Sequence, residues 1–226
     1  MIKELIKFLE PCVTDERRDQ MLAVLSERTK YLTVVLEDIY QAQNASAVLR
    51  TCDGFGIQDV HIIENRNTYD INPKVVIGAS KWLDLNKYNT KSNNTLDAIK
   101  HLKAQGYRIV ATTPHDNDTN LEDYDLSKGK TALVFGTEKT GVSKEVMDEA
   151  DEFIKIPMFG YSESFNISVA AAVTLHHLSY QLRQSELPWQ LTENEADKLY
   201  VDWLKETIKK SDLLVQEFYQ RNEDYK

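Results

Sequence analysis

Short apolar runs of strand length recur along the chain, at residues 32–36, 60–63, 108–112, 131–135 and 153–156. Between them lie segments with helix start and stop signals. This alternation limits the fold more than any other feature, because parallel strands cannot be joined by a tight hairpin and need a crossover, usually a helix. It predicts an α/β domain around a mostly parallel sheet. One predicted helix spans 44–52, with Asn44 as its cap and Gly54 and Gly56 ending it; another spans 95–105, with Gly106 as the stop. A long apolar helix begins at Asn166 and runs through Val169, Val173 and Leu178. The polar segment 65–73 reads as a loop. Residues 1–30 read as helical, with Thr14 as a cap and Asp15 and Glu16 in the first turn. After Pro188, an amphipathic helix is expected from Glu193 to about Tyr219 on Leu199, Trp203, Ile208 and Leu214. The expected organisation is a helical extension (1–30), a central domain (31–187) and a second helical extension (188–226).

Composition narrows the class. The chain has 226 residues, 42% of them hydrophobic, with only 8 Gly and 5 Pro, enough to bury a core and unlike a disordered chain. Two cysteines, Cys12 and Cys52, argue against a disulfide scaffold or a cysteine-rich zinc site. Charge interrupts the first ten residues every few positions, so no secretory apolar core is expected there, and no window of about 18 uncharged apolar residues is found for a membrane span. A soluble cytoplasmic protein is the expectation. The net charge of -9 speaks against a polybasic coat on nucleic acid. The acidity is uneven: residues 1–130 carry 17 basic and 19 acidic side chains, residues 131–226 carry 10 and 17.

Common site signatures are missing. Gly54-Phe55-Gly56 is a fragment of a dinucleotide fingerprint but follows a helix rather than a strand. Walker A and G-x-S-x-G patterns do not occur. Among the histidines (His61, His101, His115, His176 and His177), the adjacent last two cannot share one metal from a helix. No metal site is expected.

Three polar segments stand where the C-terminal edge of the sheet should lie, the usual ligand edge of open α/β sheets. The first, 44–56, places Asn44 at a helix start and Arg50 six residues on. Read alone, it is a cap and a surface arginine. The second, 133–143, runs from a strand into Gly136, Glu138 and Gly141, with Ser143 capping the next helix; read alone, it is a βα loop. The third, 156–170, ends a strand at Pro157 and brings Ser164 and Asn166 to a helix start, where free N–H groups favour an anionic or carbonyl-bearing ligand.

In this order the segments read N-x5-R, then F-G-x-E-x-x-G, then I-P-M…S-x-N-x-S-x-A. Together they resemble the SpoU branch of the SPOUT RNA 2′-O-ribose methyltransferases, over roughly residues 28–180. The short flanking helices, residues 78–83 and the tail around 200–204 are similar to the tRNA-modifying members, whose target is guanosine 18 in the D-loop.

The resemblance implies a deep trefoil knot in the C-terminal part of the sheet, an obligate homodimer with sites completed across subunits, and S-adenosylmethionine as cofactor. It implies that Thr113, Gly136, Ile156, Met158 and Phe165 line the cofactor cradle. Arg50 carries over as the residue that removes the 2′-hydroxyl proton or, since a guanidinium is a poor base, as a phosphate clamp that stabilises developing charge. Asn44 would orient Arg50 or the ribose. Glu138 would hold its loop through backbone N–H groups or a cation. Ser164 and Asn166 would fix the third loop and help bind the nucleotide. Arg28, Lys81 and Arg183, extended by Arg17 and Arg18, are the expected tRNA contacts.

Two alternatives stay open: the same chemistry on 23S rRNA, and a non-catalytic RNA-binding dimer of the same fold. The charge distribution confines RNA contact to the N-terminal half and the dimer cleft. The C-terminal extension, with 7 basic and 10 acidic side chains in residues 181–226, suits packing better than RNA capture.

Overall fold

In the sheet, strand β1 (Leu32–Glu37) lies between β2 (Asp59–Ile63) and β6 (Thr131–Phe135), and every residue of the three strands is buried. Continuous burial is what a parallel sheet covered on both faces demands. With β3 (Asp84–Tyr88), β4 (Arg108–Thr112), β5 (Thr119–Asn120) and β7 (Glu152–Lys155), the sheet has seven strands among the described residues, in the order β3-β2-β1-β6-β4-β7-β5. Every pairing is parallel. The computed structural model describes residues 1–68, 78–114 and 118–221.

Alternation along the strands divides the core in two. Leu32, Val34, Leu36, Leu133 and Phe135 face one cluster, while Val35, Ala132, Val134, Ile109 and Ala111 face the other. Helix α3 (Ala42–Gly54) and the 18-residue helix α6 (Ile167–Gln184) share the first cluster through Ala45, Val48, Leu49 and Cys52 and through Ala171, Leu175, Leu178 and Leu182. Helices α4 (Thr95–Ala104) and α5 (Lys144–Glu149) supply Ala98, Ile99, Leu102 and Val146 to the second. The opposite face of α6 leaves Val169, Val173 and Tyr180 exposed.

The chain forms two compact units, Thr29–Trp189, which contains the sheet, and Met1–Arg28 with Gln190–Lys226. In the second unit, Thr14 caps α2 (Asp15–Ser26) as expected, accepting from Arg17 N at 3.2 Å. Ahead of α2, α1 (Ile2–Leu9) gives way to a short 3-10 turn at Glu10–Cys12, because Pro11 cannot continue the α-helical hydrogen bonding. The expected single C-terminal helix is two, α7 (Glu193–Thr207) and α8 (Ser211–Arg221), separated at Lys210, whose φ is +60°. A capping box of Thr192 and Glu195 fixes the start of α7. Tyr200 donates to Glu10 Oε1 at 2.8 Å, and Phe8 packs on Phe218 with ring centroids 5.5 Å apart.

Strands β3 and β5 escaped the sequence reading. Leu85 is the sole large aliphatic residue of β3, whose positions are partly buried or, at Lys87, exposed, and β5 is two polar residues. The expected loop 65–73 is described only to residue 68, and His115 lies outside the described residues.

Candidate active site

The three polar segments meet at the C-terminal edge of the sheet. Asn44 lies in the first turn of α3, after β1; Glu138 follows β6; Asn166 follows β7 and caps α6. Glu138 Oε1 accepts from Asn44 Nδ2 and from Asn166 Nδ2, each at 2.7 Å, and Asn166 Nδ2 stands 3.3 Å from Asn44 Oδ1. Asn166 Oδ1 in turn accepts from Ser168 N at 2.9 Å and Ser168 Oγ at 2.6 Å. Each side-chain amide thus uses donors and acceptor together, and the carboxylate oxygen is the common acceptor.

This corrects two expectations. Gln41, not Asn44, occupies the cap position of α3, since the helix starts at Ala42 and the Asn44 amide is engaged by Glu138. Glu138 gathers side-chain amides rather than backbone N–H groups or a cation. Within one chain, Asn44 and Arg50 leave α3 in directions well over a quarter turn apart, since six residues separate them at 3.6 residues per turn. Arg50 is exposed on the solvent stripe of α3 with Gln43 and Gly54, outside the lining of the cavity beside the cluster.

That cavity holds about 1020 Å³, at the upper end of small-molecule sites. All five expected cradle residues, Thr113, Gly136, Ile156, Met158 and Phe165, line it, with Glu138 and the exposed Ser164. Its walls come from segments after β4, β6 and β7 and from the start of α6. Phe135, Leu121 and Ile156 provide apolar surface, and backbone groups of 136–142 provide polar surface. The mixture suits a ligand with a flat heteroaromatic ring and a polar edge.

Gly136 has a steric reason to be glycine. A Cβ there would stand 2.2 Å from the carbonyl carbon and oxygen of Gly141 and 2.3 Å from Val142 N. The loop returns onto its own start: Thr137 N donates to Gly141 O and Gly141 N to Thr137 O, both at 2.9 Å, with Gly141 at φ +67°.

The expected basic track is only partly available. Arg28 is 1% exposed, with its guanidinium 5.3 Å from the centre of the Trp203 ring, so it serves packing rather than RNA contact. Arg183 is half-buried; it donates to Ser179 O and Phe55 O at 3.2 and 3.1 Å and stacks on Trp189. Lys81 is exposed on a 3-10 turn at Ala79–Trp82. Arg17 donates to Gln20, and Arg18 pairs with Asp15 and Asp19.

Two neighbours of the site were missed in the sequence. Asp38 has φ +55°, and its Oδ1 accepts from the backbone N–H groups of Asn65, Arg66 and Asn67 at 3.2, 2.7 and 2.8 Å. Glu37 is buried at the end of β1. The available signal was an acid pair closing a mostly apolar run, where a carboxylate must find donors.

Comparison with known proteins shows the family. The SpoU rRNA Methylase family model matches residues 31–176. A tRNA (guanosine(18)-2'-O)-methyltransferase of Borreliella burgdorferi is 44% identical over 204 residues, covering 90% of this chain and 91% of that protein. The enzyme of the same name from Thermus thermophilus is 35% identical over 195 residues, covering 85% and 97%. Among solved structures, the A. aeolicus TrmH/SpoU tRNA modifying enzyme superposes with a TM-score of 0.76 at 30% identity, over 87% of this chain and 98% of that one. The SpoU methyltransferase AviRb of Streptomyces viridochromogenes, solved with AdoMet, shares the fold with a TM-score of 0.60 at 23% identity, over 73% and 65%.

Proposed function

The chain belongs to the SpoU rRNA Methylase family, and from that premise we propose that it transfers a methyl group from S-adenosylmethionine to the ribose 2′-hydroxyl of guanosine 18 in the D-loop of tRNA. The observation that carries this reading is the convergence of Asn44 and Asn166 on Glu138, which lines a cavity together with the expected cradle residues. The names of the relatives in Borreliella burgdorferi and Thermus thermophilus support the nucleotide.

The residues present fit the cofactor. The close pass of Gly136 over Gly141 leaves backbone polar groups free of side-chain cover, and Ile156, Met158 and Phe165 give the apolar walls that an adenine ring needs. When bound, S-adenosylmethionine supplies an electrophilic methyl group on a cationic sulfur. The protein must then orient the ribose oxygen, take up its proton and exclude water. Glu138 fixes the loop after β6 to the starts of α3 and α6, so it sets cavity shape rather than exchanging protons. Asn166 caps α6 with its Oδ1 while its amide holds Glu138, which couples the third loop to the second. Ser164 lines the cavity at the position from which a hydroxyl can meet the nucleotide.

Arg50 acts across a homodimer. It is exposed and away from the cavity of its own chain, as a residue serving a second copy's site would be. The exposed apolar stripe Val169, Val173 and Tyr180 on α6 is the surface expected to bury against that copy. There Arg50 clamps the target phosphate and draws the 2′-hydroxyl towards ionisation. The trefoil knot of the family would bring the loops after β6 and β7 together, and a cytoplasmic setting fits the substrate. The central domain at 31–187 would carry the chemistry, with the extensions 1–30 and 188–226 packing together. Lys81, Arg17 and Arg18 remain the proposed phosphate contacts.

The test is a thermal shift with S-adenosylhomocysteine, followed by labelled-methyl transfer to tRNA. Stabilisation by the ligand is expected. Its absence at saturation would favour an RNA-binding protein without catalysis, and label confined to rRNA would move the same chemistry to that substrate.

A further inference from the structure

The loop from Gly136 to Ser143 closes on itself and is then tied to the sheet by one buried acid. Glu37, the last residue of β1, is 2% exposed. Its two carboxylate oxygens grip Ser143: Ser143 N donates to Oε2 at 2.8 Å, and Ser143 Oγ donates to Oε1 at 2.7 Å. A third donor, Thr95 Oγ1 at the start of α4, reaches Oε1 at 2.7 Å and itself accepts from Asn65 Nδ2 at 3.0 Å. Ser143 Oγ also accepts from Val146 N at 3.2 Å, as the cap of α5, so its hydroxyl is engaged on both sides.

Removing a carboxylate from water is costly unless donors replace the lost hydration. For packing alone, an apolar side chain would serve. What the acid adds is a two-point hold that fixes both position and orientation of Ser143. Ser143 directly follows Gly141 and Val142, which form part of the cavity wall. The other end of that wall is fixed by the pass of Gly136 over Gly141. Glu37 does not line the cavity.

We infer that Glu37 is a positioning residue for cofactor binding, holding the 136–142 wall in register with the sheet through Ser143. This rests on the reading that the cavity takes S-adenosylmethionine. The inference separates two conservative changes. In Glu37→Gln the amide oxygen can keep the Ser143 N–H while the NH2 donates to the two hydroxyl oxygens, so reach is preserved. In Glu37→Asp the carboxylate is kept but stands one methylene short of Ser143.

The experiment is calorimetric titration of S-adenosylhomocysteine into wild type, Glu37→Gln, Glu37→Asp and Ser143→Ala, with methyl-transfer kinetics alongside. Expected is a loss of affinity of about tenfold or more in Glu37→Asp and of about threefold or less in Glu37→Gln. Expected with it is a raised KM for S-adenosylmethionine in Glu37→Asp, with kcat at saturation and KM for tRNA within about threefold of wild type. Should Glu37→Asp not fold, Ser143→Ala, which removes one of the two holds, is expected to lose affinity in the same assay. Folded Glu37→Asp or Ser143→Ala with wild-type affinity, lower only in melting temperature, would overturn the inference in favour of a purely structural role. Wild type that fails to bind S-adenosylhomocysteine would overturn the cavity's assignment, and the role of Glu37 with it.

Discussion

Glu138 and Asn166, 28 residues apart, meet with Asn166 Nδ2 2.7 Å from Glu138 Oε1, and Asn44, 94 residues from Glu138, donates to the same oxygen. One exposed carboxylate oxygen therefore joins the loops after β1, β6 and β7. Glu138→Ala removes the shared acceptor and is expected to lower kcat/KM by about 10- to 100-fold, while Glu138→Gln, which keeps an acceptor oxygen, loses less. Combined with Asn166→Ala, the losses are expected to be clearly less than additive. Additive losses would show that the two residues work separately.

Gly136→Ala tests the closed loop. The new methyl group meets backbone on three sides of Gly141 and Val142, and backbone cannot swing aside as a side-chain end can. A stability loss of about 1–3 kcal/mol is expected, together with weakened S-adenosylhomocysteine binding in titration. Unchanged binding would mean that the loop tolerates opening at this point.

Arg50 offers the reverse pattern. It is exposed and outside the cavity, so Arg50→Ala is expected to leave stability within about 0.5 kcal/mol and cofactor affinity intact. Turnover is expected to fall at least about 100-fold, as for loss of a charge-stabilising group. In Arg50→Lys, residual activity favours a phosphate clamp, blunted by the lost two-pronged geometry. Single-turnover kinetics with saturating cofactor is the measurement.

These contrasts mark how much could be read in the sequence. The apolar runs that became β1, β2 and β6 were legible because a doubly covered parallel sheet buries every position, and those of β4 and β7 because Ile109, Val110, Ala111 and Ile154 are buried at their centres. The cluster members Asn44, Glu138 and Asn166 stand in the three motif segments, whereas the cradle residues, Thr113 outside those segments among them, came from the family resemblance. What was not legible is how the members join. Asn44 reads as a cap from local chemistry, and only the approach of Glu138 across 94 residues diverts its amide. Arg28 reads as a surface cation, and only the Trp203 ring shows that it packs. Glu37 is one residue beyond an apolar run, with its donors 58 and 106 residues away.

His61 gives a pH signature. Burial first, then the positive surroundings of His101 and Lys30, push its imidazole down to about 4. Its Nδ1 lies 3.0 Å from Tyr88 Oη, while Nε2 is buried without a partner among the described residues. Because the unfolded chain takes up this proton near pH 6.5 and the folded chain only near 4, the contribution of His61 is complete above about 6.5 and is lost as pH falls towards 4, by up to ~3 kcal/mol. Asp59, which burial pushes up to about 6 despite Lys30 at 3.0 Å, acts in the opposite sense. The comparison is therefore wild type against His61→Gln in urea unfolding from pH 4.5 to 7. The stability of wild type minus that of the variant is expected to fall as pH drops from 6.5 towards 4.5, since Asp59 contributes alike to both proteins, and a difference independent of pH would contradict the assignment.

The most direct measurement is methyl transfer from labelled S-adenosylmethionine to an unmodified tRNA transcript, with the modified position mapped. The expected result is label on the ribose 2′-oxygen of guanosine 18, lost in Arg50→Ala and in a transcript bearing 2′-deoxyguanosine at that position. Label elsewhere in tRNA, or on rRNA alone, would contradict the substrate, and wild-type turnover by Arg50→Ala would contradict the site.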